Sequence, residues 1–226
     1  MEDLIRVGLV DSDDAIRLGR KLVLQSSKTV VVALESDSAS DILNRFADYL
    51  IDVLVIDQRL RGSTGLEVLE RISKLKVQNA IETRLLLTAP FGSPRLDYEA
   101  LSAGATAVVT QDQGADVLLE TVQALATRRR QYSLRSLEAL SRELGIEKKQ
   151  DPALNAFLDG LPQTSKVIVE GVIAGESIRA VSELTGEPPY RVRKTVQAAL
   201  SALGLATLEQ LQLRVIRAQR SDTSEI

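Results

Sequence analysis

Along the first half of the chain, short apolar runs alternate with longer stretches whose apolar residues recur at helical spacing. Ile5–Val10, Thr29–Leu34, Val53–Ile56, Arg84–Thr88 and Ala107–Val109 are the candidate strands, and a helical pattern follows each of them. The runs Val30-Val31-Val32, Val53-Leu54-Val55-Ile56 and Leu85-Leu86-Leu87 are apolar throughout and do not alternate. That is the signature of parallel strands covered on both faces by helices. The expected fold of this part is an open, five-stranded, parallel, doubly wound α/β domain of flavodoxin-like type. Its first helix starts near Asp13 or Asp14, either of which can cap it, and carries Ile16, Leu18, Leu22 and Val23 at roughly helical spacing. Its last helix has an inner stripe of Val117, Leu118, Val122 and Leu125 and ends in Arg128-Arg129-Arg130, a cluster suited to a helix C-terminus.

The pattern then changes. Leu134, Leu137, Leu140 and Leu144 form a stripe that Gly145 stops, and the tract Glu147–Pro152 is polar. Beyond it no strand is expected. Leu161–Gly175 reads as a helix, Ser177–Leu184 as a short one, Thr185–Pro189 as a turn, and a longer helix runs from Pro189 or Tyr190 to Leu203. Thr207-Leu208-Glu209-Gln210 is a capping box that opens a fourth helix, with Leu208, Leu211 and Val215 as its apolar stripe. The expected division is residues 1–127 for the α/β domain, 128–152 for a partly helical linker, 153–220 for a small all-α domain and 221–226 for a flexible tail. Helix, tight turn and helix in the all-α part have lengths suited to a DNA groove.

Composition narrows the chemistry. The chain has no cysteine and no histidine, which removes disulfides, thiol and imidazole nucleophiles, zinc fingers and Ser-His-Asp hydrolysis together. No glycine-rich phosphate loop follows the first strand, so an enzyme of doubly wound fold is disfavoured. A net charge of −3 provides no global attraction to nucleic acid, and DNA contact would have to come from a local basic patch. No run approaches the ~20 apolar residues of a membrane span, and Met1-Glu2-Asp3 is acidic where a signal peptide would be basic. A cytoplasmic protein without membrane contact is expected.

In an open parallel sheet the functional crevice lies beyond the carboxyl ends of the strands. Asp11 ends the first strand, Asp57 the third and Thr88 the fourth, while Gln111 follows the fifth, so four polar side chains converge on one patch. The text Val-Leu-Val-Ile-Asp57-Gln-Arg-Leu-Arg-Gly-Ser-Thr-Gly65-Leu-Glu-Val-Leu, with Leu-Leu-Leu-Thr88-Ala and Ser-Ala-Gly104-Ala-Thr-Ala-Val-Val-Thr-Gln111-Asp, resembles the receiver domain of response regulators. The resemblance implies that Asp57 accepts a phosphoryl group from a histidine kinase and that Thr88 binds the phosphate and carries the switch. It also implies Mg2+ on Asp11 and Asp57, with less charge than the family's usual set.

The departures are specific. Ser12 stands where the family has a second acid, Gln111 where it has lysine, Arg61 and Gly62 where a proline is common, and Val108 where an aromatic is usual. A lysine contact to phosphate is charge-assisted and about twice as strong as a neutral one from Gln111. A degenerate receiver is therefore expected, with weaker phosphate switching. Dimer contacts, a bound small molecule or a protein partner are the other inputs open to it.

On a helical wheel Val192, Val196, Ala199, Leu200 and Leu203 fall on one side of the longer helix. Tyr190, Arg193, Lys194 and Gln197 cluster opposite, with Arg191 flanking, and Tyr190–Leu203 contains no acidic residue. Such a face supplies phosphate clamps and base-edge donors together. Gly175-Glu-Ser-Ile-Arg-Ala-Val-Ser-Glu-Leu-Thr-Gly, followed by Arg191-Val192-Arg193-Lys194-Thr195-Val196, resembles the helix-turn-helix of the NarL/LuxR (FixJ) family of response regulators. The resemblance places Arg193, Lys194 and Gln197 at base-facing and phosphate-facing positions and Arg191 and Tyr190 on phosphates. It also implies a homodimer formed through the fourth helix and an inverted-repeat site on double-stranded DNA. Pro188-Pro189 departs from the small polar residues usual in that turn. The expected protein is a transcription regulator, not an enzyme; the alternative is an adaptor that binds a kinase or another signalling protein through the degenerate receiver without touching DNA.

Overall fold

The computed structural model describes residues 4–127 and 131–219 and divides into two compact units, Met1–Tyr132 and Ser133–Ile226. The Arg128–Arg130 cluster and the 221–226 tail lie outside the described residues.

The first unit runs β1 (Ile5–Val10), α1 (Asp14–Gln25), β2 (Val30–Ser36), α2 (Ala39–Arg45), β3 (Val53–Asp57), α3 (Gly65–Asn79), β4 (Arg84–Ala89), α4 (Pro94–Ala103), β5 (Ala107–Thr110) and α5 (Ala115–Ala126). The five strands pair in the order β2-β1-β3-β4-β5, every pair parallel. Two apolar clusters account for the uniformly apolar runs. Leu54, Ile56, Leu85 and Leu87 pack with Ile42, Phe46, Leu69 and Ile72 on one face. Val53, Val55 and Leu86 pack with Leu24, Leu118, Val122 and Leu125 on the other. Alternate residues of one strand thus serve opposite layers, and each fully buried Leu, Ile or Val contributes about 1.5–3 kcal/mol.

Helix α1 is capped by Asp13, whose Oδ1 accepts the N–H groups of Ala15 and Ile16 at 2.9 and 3.0 Å. Its inner face differs from the expected stripe. Leu18 and Leu22 are exposed, by 56% and 63%, whereas Arg20 and Leu24 are buried. A charged residue has displaced two leucines from the interior, and the site described below supplies the reason. After β3, Arg59–Leu60 and Ser63–Thr64 form a small antiparallel hairpin that turns at Gly62, φ +75°. Gly65 then passes so close to β3 that an added Cβ would lie 2.4 Å from the Asp57 carbonyl oxygen. Only glycine permits that approach.

The second unit contains α6 (Leu134–Glu143), α7 (Pro152–Asp159), α8 (Gln163–Ile173), α9 (Ile178–Thr185), α10 (Pro189–Ala202) and α11 (Leu208–Arg217). Its core joins Leu154, Leu158, Ile168, Val169, Val172, Val181, Val192, Val196, Leu200 and Leu211. Helix α7 was not expected, and neither was the two-residue parallel pairing of Lys149–Gln150 with Ala218–Gln219. Helix α6 packs on α11, so the Leu137 stripe belongs to this unit's own packing. Gln212 is fully buried and donates from Nε2 to the carbonyls of Val172 and Ile173 at 3.2 and 3.1 Å. This satisfies the open end of α8.

Candidate functional site

The parallel register sets Asp57 of β3 directly beside Thr88 of β4, and Asp11 follows the end of β1. All three side chains are buried, with 2–3% exposure. Thr88 Oγ1 lies 3.3 Å from Asp57 Oδ2 and 3.4 Å from the Ile56 carbonyl oxygen. Sequence reasoning did not find the residue that binds this group together. The Arg20 guanidinium enters from α1, with Nη1 2.5 Å from Asp11 Oδ2 and Nη2 2.7 Å from Asp57 Oδ2. The first contact is an aligned hydrogen bond; the second is a close ion pair in which Nη2 has no aligned acceptor.

The remaining carboxylate oxygens are also engaged. Asp57 Oδ1 accepts the Arg59 N–H at 2.8 Å, and Asp11 Oδ1 accepts the Asp13 N–H at 2.9 Å. Burial pushes the Asp11 carboxyl above the usual range; the Asp13 N–H and Arg20 oppose that rise, and the nearby Asp57 and Asp13 charges add to it. Ser12 does not face the acids. Its hydroxyl donates to the Asp37 carbonyl at 2.8 Å and accepts the Arg61 N–H at 2.7 Å, pinning the hairpin after β3 to the loop after β1. Gln111 is exposed, on the same groove as Arg20 and Thr88.

In the second unit, α9 ends at Thr185, Gly186 takes the left-handed conformation with φ +70°, and α10 opens at Pro189. Pro188 is the N-cap residue and Pro189 the first helical one, where the missing N–H has no helical partner to lose. The turn is held by Ser182 Oγ donating to the Glu187 carbonyl at 2.6 Å. The double proline therefore fits the start of a helix and leaves no backbone donor wasted. Val192, Val196, Ala199 and Leu200 are buried, and Tyr190, Arg191, Arg193, Lys194 and Gln197 are all exposed on the opposite side. Arg191 pairs with Glu187 at 3.3 Å on the surface. Among the described residues no ion pair engages Arg193 or Lys194. The N-terminus of α10 has no side-chain cap, and Pro188, Pro189 and Tyr190 at its start are exposed, so its positive end is open to solvent.

The family model for the response regulator receiver domain matches residues 7–123. The chain belongs to the response regulator receiver family. It is 24% identical over 219 residues to the DNA-binding transcriptional activator DevR/DosR of Mycobacterium tuberculosis, covering 96% of this chain and 97% of that one. The solved signal receiver domain of the response regulator NarL from M. tuberculosis is 27% identical, with a TM-score of 0.51, over 56% of this chain and 99% of that chain. The RcsB response regulator of Salmonella typhimurium, at 15% identity, shares the fold with a TM-score of 0.52, covering 95% and 98%.

Receiver domains commonly invoke Mg2+, and the residues of this receiver do not fit it. Magnesium requires near-octahedral oxygen ligands at about 2.0–2.1 Å. Here all four oxygens of Asp11 and Asp57 already accept hydrogen bonds or face the guanidinium. A fixed positive charge stands where the two carboxylates would share a cation. Asp13, the nearest further acid on the chain, caps α1. Among the described residues no group of three acidic side chains is placed to hold a metal.

The apolar stripe of the fourth helix of the expected DNA domain, α11, is also otherwise engaged. Leu211 is buried in the unit's core, and Leu208 and Val215 pack against it. The stripe faces α6 and α8, which pack against α11. Among the described residues no helix is long and apolar enough to cross a membrane.

Proposed function

We propose that this receiver protein is a DNA-binding transcription regulator of the two-component type, and not an enzyme, that enters the major groove with α10. The observation that carries the reading is the exposed, acid-free face of α10 bearing Tyr190, Arg191, Arg193, Lys194 and Gln197. Arg193 and Gln197 have the side-chain chemistry to read base edges. Lys194, Arg191 and Tyr190 serve as phosphate contacts that set register. The full-length similarity to a DNA-binding activator, DevR/DosR, supports it. Two copies bound about one DNA turn apart, ~34 Å, would read an inverted repeat. The pairing we propose uses a surface other than the Leu208–Leu211–Val215 stripe.

Control independent of phosphorylation is the second part of the proposal. A carboxylate nucleophile needs a free oxygen and relief of the charge that develops on the phosphoryl group. Asp57 lacks the free oxygen, because Oδ2 is paired with Arg20 and Oδ1 is held by the Arg59 N–H. Asp57, Asp11, Thr88 and Arg20 then form a closed structural cluster, and a signalling protein acts by docking.

A gel shift with genomic fragments, with and without acetyl phosphate, tests both parts. Fragments should be retained in a salt-sensitive way, equally with and without the phosphodonor, and Arg193→Ala should lose them. Retention by no fragment at any salt would return the adaptor reading. A change of affinity with acetyl phosphate, abolished by Asp57→Asn, would overturn phosphate independence.

A further inference from the structure

Helix α1 carries an exposed apolar face. Leu18 and Leu22 are 56% and 63% exposed, and Ala15 and Gln25 beside them are exposed as well. Ala15, Leu18, Leu22 and Gln25 follow one another at intervals of three, four and three residues, the spacing by which one helix meets another along a seam. This face lies opposite the one on which Arg20 and Leu24 are buried in the receiver unit. Among the described residues, no other helix exposes two large apolar side chains.

Gly19 lies beside that face in the middle of α1, where glycine weakens a helix relative to alanine. A Cβ added there would meet nothing within 4 Å, so packing inside the chain does not call for glycine. A second helix crossing at this point does, because the missing side chain lets two backbones approach closely. Next to Gly19 a groove of about 370 Å3 opens between α1 and α5, with Ile16, Val23 and Leu118 among its apolar walls. The same helix thus offers a recess for an apolar side chain and, within one turn of it, the leucines to fill such a recess. That is the condition for an isologous contact, in which one patch is complementary to its own copy.

Charge selects the partner and its direction. Asp14, 79% exposed, opens α1, and the exposed Lys28 follows its end. Among the described residues no ion pair engages Lys28. A copy lying antiparallel brings Asp14 of each chain toward Lys28 of the other, and the two helix dipoles then oppose each other favourably. Lys21, near the crossing, is already offset within its own chain by Glu35 at 2.5 Å. We propose that a second copy of this chain docks on α1, the two α1 helices running antiparallel and crossing at Gly19, with Leu22 of each over Gly19 of the other. The pairing rests on the DNA-binding reading for its use, the two-fold placing of α10, but it forms without DNA. With 12 residues, α1 is about 18 Å long. The contact is therefore at the small end of specific interfaces, and its dissociation constant should be on the order of 10–100 μM.

Sedimentation equilibrium of the full chain without DNA, at concentrations spanning that range, tests the pairing. The average mass should rise from that of one chain toward that of two. Leu22→Glu should weaken association by about tenfold or more, while its urea unfolding transition stays with that of the native chain. Lys28→Asp should weaken association severalfold, and adding Asp14→Lys to it should restore the native behaviour, which only an antiparallel copy of the same chain explains. This charge exchange keeps the test decisive if Leu22→Glu fails to fold. Phe91→Ser, at an exposed apolar residue outside α1, should leave the mass profile unchanged. Association that survives Leu22→Glu, or a charge exchange that restores nothing, would overturn the proposal. So would the mass of one chain at every concentration, which would leave the α1 face to a different protein. Because DNA is absent, that result would not touch the DNA-binding reading, and a failed gel shift would leave the sedimentation result standing.

Discussion

Arg20 on α1 is buried between Asp11 and Asp57, whereas Arg193 on α10 stands exposed on a helix without an acidic residue. A charge moves into an interior only when partners offset its lost hydration, and the Arg20 guanidinium is directed to the two carboxylates. A charge left in water with no partner keeps its interactions for a ligand that arrives from outside. In this molecule, the edge of the receiver sheet, where the family's chemistry usually resides, is the closed region, and the helical unit is the open one.

The largest expected effect comes from breaking the closed side. Arg20→Met should destabilise the protein by about 3–5 kcal/mol at pH 7, because it leaves two neighbouring carboxylates buried without a counter-charge. Urea unfolding would measure it. Adding Asp57→Asn to that variant should recover a large part of the loss, and lowering the pH should shrink it as the carboxyls take up protons. A cost below about 1 kcal/mol, the range of an exposed pair, would show that Arg20 does not hold the cluster. On the open side, Arg193→Ala should weaken binding to a specific site by about 1–3 kcal/mol and relax discrimination at one base pair, with the unfolding transition unchanged. An equal loss on every DNA sequence would instead make Arg193 a phosphate contact.

A smaller effect sharpens the contrast within the receiver unit. Tyr132 donates a hydrogen bond to Asp97 of α4 and accepts one from the Val108 N–H, so a tyrosine next to the linker closes over the position where the family's usual aromatic is missing. Burial raises the Asp97 carboxyl above 3.8, although its bond to Tyr132 opposes the rise. Burial, and then the Asp97 charge, raise the Tyr132 hydroxyl as well. A carboxyl raised on folding favours the folded state when protonated, so its contribution is full below 3.8 and is lost as pH rises through the folded value. Asp97→Asn should remove that acid-range slope from the stability profile, a change of about 1 kcal/mol or less, measured by urea unfolding across pH. An unchanged slope would assign it to Asp11, whose shift has the same sign.

The contrast also explains what the sequence could reveal. The five strands and the basic face of α10 were legible because each is a property of one element: a uniformly apolar run, or a wheel with cations on one side. Helix α1 misled because Leu18 and Leu22 are apolar and Arg20 is charged, although Arg20 stands four residues from both Ile16 and Leu24, on the inner face. What makes an inward arginine tolerable is Asp57, distant in sequence and brought close only by the β1–β3 pairing. Helix α7 left a local signal that a polar tract concealed. Asp151 caps it, accepting the Leu154 N–H at 2.9 Å, and Pro152 is its first residue, the usual way for a helix to begin. The same Asp151 takes two hydrogen bonds from Arg214, at 2.7 and 3.0 Å, and no periodicity within one segment could announce that pairing.

The central claim, that the free cations of α10 meet a DNA backbone, is tested most directly by the dependence of DNA affinity on salt. A plot of log affinity against log salt should fall steeply for the native chain, and Lys194→Ala should make the slope shallower by about one while weakening binding to all sequences alike. Native binding that does not respond to salt, or a slope that Lys194→Ala leaves unchanged, would contradict the account.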